Sequence, residues 1–143
     1  MEHIYFESEG IDFVLSNQQV YVDWIFSFSE TYDKIPEELN FTFCSDNQLL
    51  EINRKHLNHD YFTDIITFDY CIEEKLFGDI FISIDRVEDN AITYDVPFEK
   101  ELLRVLAHGV LHLIGFKDKS AEDEKEMRMA EDKAMALFLI ERH

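Results

Sequence analysis

Two β-forming runs, Asp64–Tyr70 (DIITFDY) and Gly78–Ile84 (GDIFISI), are separated only by a short, charged gap from Cys71 to Phe77. A parallel pair needs a crossover of roughly a dozen residues or more, so these two strands must close as an antiparallel hairpin. Strict β-α-β order is thereby broken. Further strands are read at residues 3–7, with 11–15 as a second extended piece, and at Leu39–Cys44, where Leu39, Phe41 and Phe43 share one face. The spacing of Val20, Trp24, Ile25 and Phe28 predicts a helix over about 17–32, capped by Asn17 and ended by Ile35-Pro36. Ser45 or Asp46 starts a second helix to about His56, with Leu49, Leu50 and Asn53 inward. Asp85–Thr93 reads as a third.

Pro97 opens the most strongly patterned helix, which runs to about Ile114 through Leu102, Leu103, Val105, Leu106, Val110, Leu111 and Leu113. Gly115 stops it. Ser120 with Asp123 forms a capping-box start for a last helix to about Glu141. The class is α+β: a small sheet of about four strands, including the antiparallel hairpin, packed with about five helices. No linker, repeat or low-complexity tract interrupts the 143 residues, so 1–143 is read as a single, metallohydrolase-like domain.

Charge limits the partners. The net charge is −18, and acidic residues outnumber basic ones in both halves of the chain. Such a surface repels phosphate backbones and anionic lipid, which excludes a general nucleic-acid coat protein. An enzyme with one metal-charged cleft is not excluded. No apolar run approaches the ~18 residues of a membrane span, and the acidic start, Met1 to Glu7, is no signal peptide. Cys44 and Cys71 lack metal-type spacing and read as buried thiols of a reducing cytoplasm.

Chemistry concentrates in His108-Gly-Val-Leu-His112-Leu-Ile-Gly115-Phe-Lys-Asp118. His108 and His112, four apart on a helix, stand one above the other on one face. Gly115 turns the chain back, and Asp118 can then reach them. Two imidazoles, one carboxylate and a fourth position left for water describe a catalytic zinc site, which acidifies water and polarises substrate oxygens. By itself an i, i+4 histidine pair is usually two polar side chains, but two of the chain's four glycines lie inside this stretch. The same donor set can hold iron for oxygen chemistry. Zinc peptidases share the spacing but carry a glutamate base after the first histidine, where this chain has Gly109. Arg104 and Glu101 continue the histidine face: Arg104 toward an anionic substrate, Glu101 as acceptor for a ligand histidine. An ordinary i, i+3 ion pair between them is the plainer reading. Asp64 and Asp79, opening two strands, either orient a group at the site or cap backbone N–H groups.

HGVLHLIGFKD closely resembles the signature of the YbeY family of metal-dependent endoribonucleases. The similarity extends over about residues 37–140: Thr63-Asp64-Ile65-Ile66-Thr67-Phe68 fits the family's string before the hairpin, Gly78-Asp79-Ile80 its strand opening, and Glu124, Glu126 and Met127 its last helix. The resemblance implies a mixed sheet, one zinc-like ion on His108, His112 and Asp118, cleavage of single-stranded RNA, and a role in 16S ribosomal RNA maturation and ribosome quality control in the bacterial cytoplasm. The implied partners are ribosomal RNA and small-subunit proteins, not DNA or membrane. Two positions depart from the family. Asp118, after Lys117, stands where the family has a third histidine; it is a harder, negatively charged ligand. Leu57 replaces an arginine tied to activity. Arg54, His56 and His59 are close enough in sequence to supply the lost charge, or, with Lys55, are a solvated helix end. Basic ribosomal proteins docking on the acidic surface would reconcile RNA work with the −18 charge. The alternatives are a ribosome-associated binding module without catalysis and a zinc peptidase-like hydrolase.

Overall fold

The computed structural model describes residues 3–141. Its elements follow the order β1 (Ile4–Ser8), α1 (Gln18–Glu30), β2 (Ile35–Cys44), α2 (Asp46–Leu57), β3 (Ile65–Asp69), β4 (Lys75–Ser83), α3 (Ile84–Tyr94), α4 (Phe98–Ile114) and α5 (Ala121–Glu141). The four strands form one mixed sheet in the order β1-β2-β4-β3. β1 and β4 flank β2 in parallel. β3 closes the edge antiparallel to β4, with Ile66 opposite Phe81. The expected hairpin is present and tighter than its sequence gap. Ile72 and Lys75 exchange backbone bonds of 3.1 and 3.0 Å, and Glu73 takes φ 54° in the turn.

Strand alternation sorts side chains to the two faces. Leu39, Phe41 and Phe43 of β2 and Leu76, Ile80 and Ile82 of β4 join the main core with Trp24, Leu106 and Leu111. The opposite face carries a smaller cluster of Cys44, Leu49 and Ile66, beneath α2. α5 returns along α4 and reaches α1, where Trp24 Nε1–H donates to the Ala134 carbonyl at 2.6 Å. Burial pushes the Cys44 thiol up to about 12 and the half-buried Cys71 thiol up to about 11. Both cysteines are free.

Three local expectations are corrected. Asn17 does not cap α1 through its side chain; it adopts φ 55°, and its carbonyl accepts from Val20 N–H. Residues 11–15 form no strand; Leu15 and Phe13 pack on the core instead. Ile35-Pro36 does not terminate α1 but begins β2, since the helix already ends in a turn where Asp33 has φ 59°. Proline has no N–H for the ladder, and the β2–β4 register shifts between Pro36 and Glu38. Ser45 behaves as expected, closing a capping box with Gln48.

Candidate metal centre

The site begins with how closely α4 lies on the sheet. A Cβ at Gly109 would stand 2.9 Å from Ile65 Cδ1 and 3.2 Å from Ile80 Cγ2. Gly109 therefore faces β3 and β4, and its neighbour His108 is turned out of that contact toward the cleft. At the helix end Gly115 takes φ 131°. Phe116 N–H reaches the Leu111 carbonyl at 3.0 Å and Gly115 N–H the His112 carbonyl at 3.1 Å, the paired bonds of a Schellman closure. The reversed chain brings Asp118 back over the last turn of α4.

His108, His112 and Asp118 converge as the spacing predicts. One ligand atom from each lies within 4.8 Å of the others, a group that can hold a metal ion. His108 Nε2 is 3.4 Å from Asp118 Oδ2, and His112 Nε2 is 3.6 Å from Asp118 Oδ1. The two rings are nearly perpendicular, with centroids 5.2 Å apart.

Glu131 is the partner that sequence reasoning missed. Its Oε2 accepts from His108 Nδ1 at 2.8 Å. An ionised carboxylate only accepts, so Nδ1 carries the proton and Nε2 keeps its lone pair for a metal. Glu131 is 4% exposed and also receives Arg104 Nη1 at 2.8 Å. Arg104 Nη2 donates to Asp132 at 3.0 Å. Arg104 thus lines the cleft with its guanidinium bound to two carboxylates of α5, not to Glu101. Burial by itself lowers the His108 pKa, but the hydrogen bond and charge of Glu131, aided by Asp64 and Asp118, raise it above the ordinary value. Glu131 was legible as an oddity: it occupies the Met127, Ala130, Ala134, Met135, Phe138 stripe of buried positions.

These groups lie in a cleft of about 640 Å³. Its lining includes Leu57, His59, Tyr61, Asp64, Tyr94, Glu101, Arg128 and Met127. Glu101 lines the cleft but is not the acceptor for a ligand histidine; Glu131 holds that place. Burial raises the pKa of both Glu101 and Asp64, with the Arg104 charge opposing it at Glu101 and the His108 charge opposing it at Asp64. Asp79 instead accepts from Asn40 Nδ2 at 3.2 Å, outside the lining. Of the three basic residues expected to act near Leu57, Arg54, His56 and His59, His59 alone is part of the described lining of the cleft. Arg54 pairs with Asp60 and Glu51, and the His56 ring meets Phe68 edge-on.

A family model described as "Endoribonuclease YbeY" matches residues 3–138. The chain belongs to the YbeY endoribonuclease family. YbeY relatives named endoribonuclease include one from Flavobacterium psychrophilum, 48% identical over 93% of this chain and 95% of its own length. Another, from Phocaeicola vulgatus, is 43% identical over 96% of this chain and 99% of its own. The solution structure of TM1509 from Thermotoga maritima superposes with a TM-score of 0.65 at 27% identity, covering 94% of this chain and 88% of that one. The α+β fold read from the hairpin, the mixed sheet and five helices is thus shared with a solved structure. No helix among the described residues is long and apolar enough to cross a membrane.

Proposed function

We propose that this protein is a zinc-dependent endoribonuclease that cleaves single-stranded RNA. Its place would be 3′ end maturation of 16S ribosomal RNA and ribosome quality control in the cytoplasm, alongside small-subunit proteins. The observation that carries the reading is the convergence of His108, His112 and Asp118, with Glu131 fixing the tautomer of His108, in a chain whose YbeY relatives are named endoribonucleases. Two nitrogens and one oxygen suit zinc. When bound, the ion supplies Lewis acidity and an acidified water.

The remaining steps fall to side chains. Arg104 holds Glu131, and through it His108, in place. Glu101, whose pKa burial raises, is proposed to hold or accept a proton during phosphodiester cleavage. Asp118 adds a negative charge where the family has a neutral histidine, which favours retaining the ion. The peptidase alternative finds no support at Gly109. A glutamate there would meet Ile65 and Ile80 of the sheet instead of a substrate. Elemental analysis of metal per chain, beside cleavage of a single-stranded ribosomal RNA fragment, tests the proposal. About one zinc per chain, with cleavage lost in Asp118→Ala, is the expected result. A fully loaded protein that leaves RNA intact would favour the non-catalytic binding module.

A further inference from the structure

Among the described residues lining the cleft, six carboxylates (Asp64, Asp69, Glu101, Asp118, Glu124 and Glu131) face only two arginines, Arg104 and Arg128. Both arginines already approach Glu131. Apart from a bound ion, the side chains of this cleft therefore offer phosphates little attraction, and the rest of an RNA strand must be held by something other than net charge. The same lining contains exposed rings. Tyr61 is 56% exposed and stacks on exposed His59 with centroids 5.1 Å apart and planes 21° apart.

This ring pair is braced. The Tyr61 hydroxyl lies 3.0 Å from His59 Nδ1. Asn53, 1% exposed, donates from Nδ2 to the Tyr61 carbonyl at 2.9 Å. Its main-chain carbonyl, near the end of α2, accepts from His59 N–H at 3.0 Å. Arg54 grips the intervening Asp60. The backbone that carries these two solvent-facing rings is thus held by a buried asparagine, in the same cleft as the metal-binding group, and the rings present a face to a flat ligand. Nucleobases stack on aromatic faces with little regard to sequence, because every base has a π-face.

We propose that His59 and Tyr61 form a stacking subsite for an unpaired nucleobase of the RNA strand next to the scissile phosphate. The inference rests on the ribonuclease reading above. It makes single-strandedness a requirement of this wall, because a base inside a duplex cannot offer its face.

The test compares the parent with Tyr61→Ala and Tyr61→Trp, using a fluorescein-labelled unpaired RNA oligonucleotide and the same oligonucleotide made abasic. Anisotropy gives affinity, and steady-state cleavage separates KM from kcat. Tyr61→Ala is expected to weaken binding of the unpaired strand by about 5- to 150-fold, with the loss in KM. Tyr61→Trp restores it, and the abasic strand binds parent and Tyr61→Ala alike. A parent that binds and cleaves RNA while Tyr61→Ala matches it in both would overturn the stacking subsite alone. Equal loss on the abasic strand would also overturn it, pointing to a phosphate contact. A parent that neither binds nor cleaves RNA would overturn the ribonuclease reading together with the subsite.

Discussion

Glu131, 4% exposed between His108 and Arg104, and Tyr61, 56% exposed on His59, line the same cleft under opposite conditions. The α4–α5 wall draws Arg104, His108 and Glu131 largely out of solvent, where each is paired. The loop between α2 and β3 instead offers the rings of His59 and Tyr61 to solvent, with the Tyr61 backbone fastened from behind by Asn53. The difference teaches a division of labour: an interior network fixes charge and tautomer, while an exposed ring pair supplies contact area at small expense to folding.

The comparison breaks most visibly at the ligands. His112→Ala is expected to lose stoichiometric metal and to bring RNA cleavage to background, as elemental analysis and a cleavage assay would show. Retention of both would mean that the interior wall does not carry the chemistry. Next in size, Glu131→Gln should weaken metal affinity by roughly 10- to 100-fold, read by competition with a chelator. An unchanged affinity would leave Glu131 a purely structural group.

Stability sharpens the contrast. Gly109→Ala drives a methyl toward Ile65 and Ile80 and should lower unfolding free energy by about 1–3 kcal/mol in urea. Tyr61→Ala on the open wall should stay within about 0.5 kcal/mol. Similar losses for the two would erase the distinction between the walls.

The smallest effect is one of pH. Burial raises the Glu101 pKa in the folded state. A carboxyl with a raised folded pKa destabilises the native protein increasingly as pH climbs from the unfolded value toward the folded one, and constantly above that. Glu101→Gln should therefore unfold at a higher temperature at pH 7, with the advantage vanishing below about pH 4, near the unfolded glutamate value. A variant that is less stable at pH 7 would show that Glu101 is paired, not strained. If Glu101 also handles a proton, the same variant cleaves RNA more slowly, exchanging activity for stability.

Much of this was legible in the sequence, for identifiable reasons. Histidines four apart, a glycine and an aspartate are local signals: α4 carries both histidines on one rigid frame, and the loop after it brings Asp118 back to them. The hairpin was forced by its short gap. Glu131 was not found because its meaning depends on α5 lying along α4, a contact between residues 23 apart in the chain. The Arg104–Glu101 ion pair and the acceptor role of Glu101 were misread for the same reason: from one helix alone, i, i+3 neighbours look like partners, whereas packing against α5 gives Arg104 two other acceptors and His108 a different carboxylate. At Asn17 and Pro36, turn geometry prevailed over residue preference.

The return of α5 carries a consequence for timing. A growing chain completes His108 and His112 before it completes Glu131, and Glu131 reaches His108 only when α5 has docked through Trp24 and Ala134. Before that contact forms, nothing from α5 fixes the His108 tautomer, so the orientation of the metal-binding group depends on a helix that follows both histidines in the chain. A chain interrupted before α5 carries both histidines without the carboxylate that orients His108.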